Sequence, residues 1–311
     1  NVSATATTDG ITVDTDVPTI SSVSEGSATS VSSNTYSLSF DGSNDYVTIP
    51  KSGTLNLEGS SAFTLQVYIN NDALPGSPTW RYLISNTGTT TSSSFNTYGG
   101  YILRYGADGG AGPYSHMFSF QTTSTHHVSA SEVMAYETWE ELSIVYDGST
   151  LEYYYDGVSA GSHSITGNFD DYDGDLIIGK GTDGNMGNIY FPGKFDDLRI
   201  WNIALTQSQV QSYMTVSPTG NESGLVGYWN FNEGEGTTLT DQTSNGNNGT
   251  IVGATWSEDV PATSTGGGDT DYQNDASELI ISWSGSDGGS GISTYEYALG
   301  TTSGGTDAID W

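Results

Sequence analysis

Short stretches in which apolar and polar residues alternate, each followed by a turn, run through most of the sequence. Tyr36, Leu38 and Phe40 alternate with serines, and residues 63–69 alternate in the same way. Because side chains two positions apart share one face of a strand, each stretch predicts a strand with one buried face. The dipeptide Asp147-Gly148 separates two such stretches and allows the positive φ of a tight hairpin turn. Many short strands joined in this way predict an all-β, antiparallel sandwich.

Helical periodicity is confined to residues 205–214. Thr206, with Gln209 three positions later, has the spacing of a capping box, in which groups at the start of a helix bond to one another. Leu205, Val210 and Tyr213 place apolar groups on one side of such a helix. The sequence therefore predicts one short helix in a protein made otherwise of strands.

The charge of the chain excludes several classes of protein. It has 37 acidic residues against 6 basic ones, a formal net charge of −31. Nucleic-acid surfaces need clustered Lys and Arg, and an anionic membrane repels such a chain, so we expect neither partner. No apolar run approaches the ~20 residues of a membrane-spanning helix. The absence of cysteine excludes disulfides, thiolate metal sites and a cysteine nucleophile.

Two changes in composition divide the sequence. A stretch rich in Ser, Thr and Gly at 262–268 predicts a flexible linker, and residues 18–33 are a Ser-rich junction. The central part is long enough for a sizeable core. Because the sequence begins at Asn1, we expect it to be a piece of a longer chain. The predicted segments are 1–31, 32–261, 262–268 and 269–311.

The central segment carries a series of motifs in a fixed order, at residues 38–50, 63–69, 139–157, 177–179, 191–202, 224–231 and 249–256. The first contains Leu38-Ser39-Phe40-Asp41-Gly42, and a later one contains Phe195-Asp196-Asp197-Leu198-Arg199. In this order the motifs resemble the laminin G-like family, whose members fold as concanavalin A-like jelly rolls; pentraxins are more distant relatives. The resemblance implies a ligand-binding domain of a bacterial multidomain surface protein, and hence an extracellular location.

The two ends resemble a different family. Residues 280–285 and 291–300, with Ile281-Ser282-Trp283 among them, resemble the first half of a bacterial fibronectin type III-like repeat. Residues 9–15 resemble the last strand of another such repeat. The resemblance implies partial immunoglobulin-like or fibronectin III-like sandwiches at both ends, cut from a long array.

The acidic and histidine residues give little support to catalysis. Retaining glycosidases need two carboxyl groups ~5–5.5 Å apart, commonly from a Glu-x-Asp-x-x-Glu strand on this scaffold, and the sequence has none. We interpret Glu137, Glu140 and Glu141 as solvated charges at the edge of a strand. No pair of histidines has the spacing of a catalytic zinc site, and loop positions are expected for His116, His126, His127 and His163. We therefore expect a protein that is not an enzyme.

Calcium is the cofactor that the resemblance implies, because hard cations bind clustered oxygen ligands. Pentraxin-like members place acidic ligands where this chain has Asp183, and Asn86 is a candidate partner. Jelly-roll carbohydrate modules often use an aspartate at the position of Asp196 against the first turn, which here holds Asp41 and Asp45. Hydrogen bonding within the turn is the alternative role for Asp41 and Asp45.

Sugar binding usually needs aromatic rings beside polar groups, and loops on a rigid scaffold commonly carry recognition. The long Gly-rich connections are flanked by rings, and Asn185 offers a polar group nearby. The alternative is that each tyrosine packs as an ordinary strand residue. The candidate rings are Trp80, Tyr98, Tyr101, Tyr105, Tyr114 and Tyr190.

Together these features predict a non-catalytic, calcium-assisted adhesion module that binds a glycan or another surface ligand. It would belong to a large secreted or cell-surface bacterial protein, next to further domains of the same chain. One alternative is an accessory carbohydrate-binding module of a polysaccharide-degrading enzyme. The other is a structural spacer without a ligand.

Overall fold

The structure is a computed structural model, and the chain divides into two compact units. One comprises residues 31–274, and the other comprises residues 1–30 together with 275–311. The structure describes residues 23–25, 34–72, 80–86, 100–106, 115–122, 124–131, 135–170, 174–183, 187–261 and 281–283.

The described elements are almost all strands. In chain order they are β1 (Val23–Glu25), β2 (Ser37–Asp41), β3 (Tyr46–Ile49), β4 (Phe63–Asn71), β5 (Arg81–Ser85), β6 (Tyr101–Gly106), β7 (Ser115–Gln121), β8 (Thr125–Ser129), β9 (Trp139–Tyr146), β10 (Thr150–Tyr155), β11 (Val158–Ser164), β12 (Leu176–Ile178), β13 (Lys180–Asp183), β14 (Gly187–Tyr190), β15 (Pro192–Trp201), α1 (Gln207–Thr215), β16 (Leu225–Trp229), β17 (Thr238–Leu239), β18 (Gly249–Val252), β19 (Thr255–Ser257) and β20 (Ile281–Trp283).

Two antiparallel sheets build the unit of residues 31–274, and they confirm the predicted all-β sandwich. Sheet I has the order β11-β10-β9-β4-β15-β2-β19, with β16 also paired to β15. Sheet II has the order β17-β18-β3-β12-β5-β6-β7-β8, and β13 pairs with β14 in a separate hairpin. Neighbouring strands in both sheets are often distant in sequence, as expected of a jelly roll.

The alternation along β4 shows why these sequences form a sandwich. Phe63, Leu65, Val67 and Ile69 are at most 2% exposed and belong to the main hydrophobic core. The Phe63 ring lies 5.1–6.3 Å from the rings of four aromatic residues, distances at which edge-to-face contacts are favourable. These neighbours come from Sheet I, Sheet II and a loop, and they are Phe118, Phe120, Tyr146 and Phe169.

A β-bulge interrupts the alternation of β15. The pairing with β4 shifts between Asp196 and Arg199, and Asp197 lies there at φ 51° in the left-handed region. The extra residue lets both Phe195 and Leu198 face the core, although they are three positions apart. It also turns Arg199 to the outer face of Sheet I, opposite Gln66.

The predicted helix is confirmed as α1. The Thr206 side chain accepts a hydrogen bond from the backbone N–H of Gln209, and the Gln209 side chain bonds back to Thr206, which completes the capping box. Val210 is fully buried and packs with Val145 and Trp201 in a second apolar cluster on the outer face of Sheet I. No helix among the described residues is long and apolar enough to cross a membrane.

The predicted hairpin turn between β9 and β10 is also confirmed. Gly148 has φ 89°, and a Cβ atom there would lie 2.6 Å from the carbonyl oxygen of Ser61. Both the backbone conformation and the close approach therefore require glycine at this position.

The prediction of loop positions for the histidines is wrong. All four lie on strands, namely His116 on β7, His126 and His127 on β8, and His163 on β11. His116 is 1% exposed, and its Nδ1 lies 2.6 Å from the Tyr155 hydroxyl. Burial lowers the pKa of His116 to about 3, so the ring is neutral and belongs to the core.

The second unit is described through one strand pair. β1 and β20 are antiparallel, with Val23 opposite Trp283 and Glu25 opposite Ile281. The sequence analysis assigned the residues of β1 to the Ser-rich junction and those of β20 to the following repeat. The predicted repeat structure at residues 1–20 and the linker at 262–268 lie outside the described residues, and the division into fibronectin III-like repeats stays a prediction.

Candidate functional site

The outer face of Sheet I carries polar side chains. Since Val67 and Ile69 of β4 face the core, the alternate residues Gln66, Tyr68 and Asn70 face outward. Directly opposite Tyr68 on the neighbouring strand β9 lies Glu141. Part of this face is therefore a layer of hydrogen-bonding groups.

A buried polar cluster occupies the centre of this face, close to α1. The Gln66 amide nitrogen donates to Glu141 Oε1 (3.3 Å) and to the Ser143 hydroxyl (3.2 Å). The Trp201 indole N–H donates to the Gln66 amide oxygen at 3.2 Å. The Trp201 ring lies 4.8 Å from that of Tyr213 on α1. This arrangement links the two strands, the bulged strand β15 and the helix.

Glu141 in this cluster is 1% exposed, so its interpretation as a solvated edge charge is wrong. Its Oε1 accepts from Ser143, but Oε2 has no hydrogen-bond partner. Burial raises the pKa of Glu141 to about 8, because a charged carboxylate loses its hydration there. Glu141 is therefore a protonated, buried acid at neutral pH.

Arg199 fixes the end of α1 to the sheet. It is 1% exposed, and its guanidinium donates to both carboxylate oxygens of Asp197. It also donates to the backbone carbonyl of Tyr213 in the last turn of α1. The bulge that positions Asp197 and Arg199 thus determines where the helix ends on the outer face.

A cavity of about 580 Å³ opens on the outer face of Sheet I, and we call it the outer groove. Met214 of α1 lines one part of it, and the segment Asp259–Pro261 lines another. Glu137 has φ 56°, and its backbone N–H donates to the Asn71 carbonyl at 2.7 Å. The side chains that matter for its chemistry are Tyr68, Asn70, Glu137, Trp139, Asp156 and Asp259.

Hydrogen bonds hold the aromatic and acidic side chains of the outer groove in place. The Trp139 indole N–H donates to Asp259 Oδ1 at 3.1 Å, and Lys194 Nζ lies 3.0 Å from Asp259 Oδ2. The Tyr68 hydroxyl donates to the Met214 carbonyl at 3.1 Å. Asp156 Oδ1 accepts the backbone N–H of Glu141 at 2.9 Å. The groove is therefore a preorganised surface of rings and carboxylates.

The polar side chains of the groove differ in how many of their atoms have a hydrogen-bond or ion-pair partner. Burial opposes the ionisation of Asp259, but its bonds from Lys194 and Trp139 outweigh burial and lower its pKa. Asn70 is 5% exposed, and its side-chain oxygen has no hydrogen-bond partner. A buried amide oxygen without a partner is costly, so Asn70 marks a place where a ligand donor would be stabilised.

Asp196 lies beside the groove, opposite Tyr68 on the neighbouring strand. It is fully buried, and its Oδ2 accepts from the Asn34 side chain at 2.7 Å, whereas Oδ1 has no partner. Burial, the largest cause, and the nearby charge of Asp197 raise the pKa of Asp196 well above its usual range.

The predicted aromatic ligand platforms are distributed over the core, the surface and undescribed segments. Tyr101 and Tyr105 are 4% and 0% exposed and belong to the core, so the prediction that they bind ligand is corrected. Both lie on β6 among inward-facing positions, where an aromatic ring gains more from packing than from solvent. Trp80 and Tyr190 are half-buried. Tyr98, Tyr114 and Asn185 lie outside the described residues.

Trp80 is packed by its neighbours. The Arg104 guanidinium stacks over the Trp80 ring at 4.2 Å, and Gly106 approaches the same ring closely. Tyr190 has Lys180 Nζ at 5.9 Å from its ring. The four selected rings that the structure describes, Trp80, Tyr101, Tyr105 and Tyr190, are not among the residues that line the outer groove.

The calcium candidates lie at separate places. Asp45 Oδ2 accepts the backbone N–H of Asp41 at 2.8 Å, and Asp41 Oδ1 accepts that of Ser43 at 2.8 Å, which is the alternative role considered above. Asp41 pairs with Pro192, four residues before Asp196, so about 13 Å of strand separates Asp41 from Asp196.

The second pair of calcium candidates is also separated. Asn86 Oδ1 accepts the Tyr101 N–H at 3.2 Å, just beyond the end of β5. Lys180, the first residue of β13, accepts a hydrogen bond from Ser85, the residue before Asn86. The next residue, Gly181, lies against Tyr82, further back along β5. β13 therefore runs away from Asn86 before it reaches Asp183. Within the described part of the chain, no three His, Asp or Glu side chains are grouped as around a metal ion. The calcium site stays a prediction.

The sequence analysis missed the groove residues Tyr68, Asn70, Trp139, Asp156 and Asp259. A partial signal was present in the alternation of β4, which assigns Tyr68 and Asn70 to the outward face. The position of Asp259 beside Trp139 has no local signal, because 120 residues separate them in sequence.

Comparisons with known proteins agree on the fold. A laminin G-type family profile, described as "Concanavalin A-like lectin/glucanases superfamily", matches residues 41–211. A solved structure from Bacteroides ovatus, described as that of a carbohydrate-binding protein, has a TM-score of 0.56 at 22% identity. The match covers 72% of this chain and 59% of the other, so this chain spans less than two thirds of that protein.

Two further structures resemble the chain more weakly. A heptameric pentraxin from Limulus polyphemus has a TM-score of 0.48 at 16% identity, over 75% of this chain and 98% of its own. A domain of an extracellular arabinanase from Geobacillus stearothermophilus, in complex with arabinotriose, has a TM-score of 0.41 at 18% identity, over 62% and 80%. Among curated protein sequences, none matches this chain.

Proposed function

Because this chain belongs to the concanavalin A-like lectin/glucanase superfamily, we propose that residues 32–261 form a non-catalytic glycan-binding module. We place its binding site in the outer groove. The family hosts both lectins and hydrolases, so the chemistry of the groove has to decide between binding and cleavage.

The observation that carries the proposal is the combination of Trp139 with fixed polar groups in one cavity. Sugar rings present apolar C–H faces and hydroxyl edges, and they bind where an aromatic face adjoins hydrogen-bonding groups. The half-buried Trp139 offers the face, while the exposed carboxylates of Glu137 and Asp156 offer the polar contacts. A cavity of about 580 Å³ has the size of a small-ligand site.

The acids of the groove support binding without cleavage. Glycoside hydrolysis needs a protonated acid and a second carboxylate, both facing the substrate. Glu141 has the raised pKa of such an acid, but it is 1% exposed and cannot reach a ligand. Asp259 is ion-paired with Lys194, which suits a fixed binding contact better than a nucleophile.

The biological setting is part of the same proposal. We infer an adhesion module of a secreted or cell-surface bacterial protein, in which neighbouring domains act as spacers. The net charge of −31 and the absence of cysteine are compatible with that setting. An accessory module of a polysaccharide-degrading enzyme would use the groove in the same way, and the sequence adjoining residues 1 and 311 in the parent protein distinguishes the two.

We expect Trp139→Ala to weaken glycan binding at least tenfold, because an aromatic contact at the centre of a site typically contributes 2 kcal/mol or more. The measurement is a glycan array followed by calorimetric titration of the best oligosaccharide. Trp80→Ala is the matched control, since Trp80 is also half-buried but lies outside the groove. A loss of binding in Trp80→Ala alone would move the site to the loops, and release of shorter sugars would contradict the non-catalytic assignment.

Calcium assistance is a separate proposal that rests on the family resemblance and on Asp183, whose side chain lies outside the described part. A chain that binds calcium loses stability when a chelator removes the ion, because the folded state alone holds the site together. We therefore expect EDTA to lower the melting temperature and added calcium to restore it. An unchanged melting temperature would contradict the calcium proposal and leave the proposed glycan site in the outer groove unaffected.

A further inference from the structure

We propose that the outer groove selects glycans that carry free amines, such as oligomers of unacetylated glucosamine, over neutral and acidic glycans. The inference rests on the proposed function, because it names the ligand class of the same site. It comes from the balance of hydrogen-bond donors, acceptors and charges around the cavity.

The hydrogen-bond donors of three groove side chains are already engaged within the protein. The Tyr68 hydroxyl donates to the Met214 carbonyl at 3.1 Å, and the Trp139 indole N–H donates to Asp259 at 3.1 Å. The Thr138 hydroxyl, also in the lining, donates to the Tyr136 carbonyl at 3.2 Å. A ligand therefore finds these three groups without a free proton to offer.

The acceptors of the groove are only partly engaged, because Asp156 Oδ1 accepts the Glu141 N–H while Asp259 accepts from Trp139 and lies beside Lys194. The Asn70 side-chain oxygen is buried without a partner. Glu137, Asp156 and Asp259 add three carboxylates to the lining. The described lining residues include no Lys or Arg, and the one ammonium paired with a lining carboxylate is that of Lys194 at Asp259, so the formal charge of the lining stays negative. The cavity consequently favours a ligand that donates hydrogen bonds and carries positive charge.

The three classes of glycan differ in how well they meet this demand. A sugar ammonium only donates, and it is attracted by each carboxylate. A hydroxyl or an N-acetyl group can donate but brings no charge. A uronate or sulfate only accepts and is repelled, both locally and by the net charge of −31 on the whole chain.

Asp156 provides a clean test of the role of charge. It has φ 48°, a conformation that asparagine tolerates, so Asp156→Asn keeps the turn and the shape of the side chain. The amide oxygen can still accept the Glu141 N–H that Oδ1 now accepts. The substitution therefore removes one charge from the groove and little else. Glu137→Gln, at the exposed rim, removes a second charge independently.

The experiment measures binding of three oligomers of equal length by calorimetry at mildly acidic pH, where the sugar amine is protonated. They are β-1,4-linked glucosamine, its fully N-acetylated counterpart, and galacturonic acid. We expect the glucosamine oligomer to bind at least about tenfold more tightly than the N-acetylated one, and the acidic oligomer not to bind. Asp156→Asn should weaken binding of the glucosamine oligomer severalfold more than it weakens binding of the N-acetylated one, and so reduce the preference for the amine.

A polyanionic protein also attracts a polycation without a specific site, and the control addresses this. Glu235→Gln removes an exposed charge away from the groove, and we expect it to leave the preference unchanged. An amine preference that survives both Asp156→Asn and Glu137→Gln would overturn the inference as non-specific attraction. Equal binding of the glucosamine and N-acetylated oligomers, lost in Trp139→Ala, would overturn the inference and keep the proposed function. Binding of no glycan at all would overturn both.

Discussion

Replacing Arg199 with methionine is expected to lower the free energy of unfolding by about 3–5 kcal/mol, the range typical of breaking a buried ion pair from one side. Methionine can fill much of the volume of the arginine stem. It cannot neutralise Asp197, whose side chain is 15% exposed, or donate to the Tyr213 carbonyl at the end of α1. The loss therefore comes from a carboxylate and a carbonyl left without their donor.

Equilibrium unfolding in urea, followed by tryptophan fluorescence, measures this change. Lys194→Met is the matched control on the same strand, because the Lys194–Asp259 pair is more exposed, at 22% and 54%, and should contribute at most about 1 kcal/mol. The double variant Arg199→Met with Asp197→Asn should cost clearly less than the two single changes added together. An equal loss in the free energy of unfolding for Arg199→Met and Lys194→Met would show that burial does not strengthen the Arg199–Asp197 ion pair.

Replacing Glu141 with glutamine is expected to stabilise the protein at alkaline pH and to change little at acidic pH. The folded-state pKa of about 8 lies above the usual value of 4.5, so the stabilisation from Glu141 is complete below about pH 4.5. This stabilisation is lost progressively as the pH rises towards 8, because the unfolded chain then releases the Glu141 proton easily, whereas the buried site still holds it. Glutamine stays neutral throughout, and its oxygen can still accept from Ser143 and Gln66.

The expected advantage of Glu141→Gln over the natural chain is on the order of 4 kcal/mol at pH 9, from the size of the pKa shift. The measurement is the free energy of unfolding of both proteins between pH 5 and 9. Glu235→Gln changes the net charge equally at an exposed position and serves as the control. Asp196 also has a raised pKa, so the natural chain and both variants should share a further decline with rising pH. Parallel curves for the natural chain and Glu141→Gln would contradict the burial of a neutral acid.

The sandwich and its helix could be predicted because their signals are local. The alternation at Phe63–Ile69 and the capping box at Thr206 each lie within a few residues, and the structure confirms both. The bulge of β15 was not predicted, although Phe195 and Leu198, apolar residues three apart that cannot share one face of a regular strand, carried a local signal for it.

The outer groove could not be predicted in the same way, because it is assembled from distant segments. Trp139 lies on β9, and Asp259 follows two residues after the end of β19. The two side chains come together only when both strands have joined Sheet I. Glu141 bonds Gln66, which in turn accepts from Trp201, and both partners are distant from it in sequence. Local reasoning assigns a glutamate at the start of a strand to solvent, and only tertiary packing reverses that expectation.

Tyr101 and Tyr105 illustrate a different difficulty. Tyrosine is common both in half-buried strands and in sugar sites, so residue type alone does not separate the two roles. Their positions on β6, alternating with Ile102 and Arg104, would have favoured the core. The nearby Gly-rich segment drew the prediction towards a loop site instead.

The pairing of β1 with β20 has a mechanical consequence. Glu25 lies opposite Ile281, so the chain departs from this short ladder, forms the whole jelly roll, and comes back to its starting point. Because the two strands are antiparallel, Val23 and Trp283 lie opposite each other at one end of the ladder, and Glu25 and Ile281 lie at the other. A force that pulls residues 23 and 283 apart would therefore break the rungs between β1 and β20 one after another and not all at once.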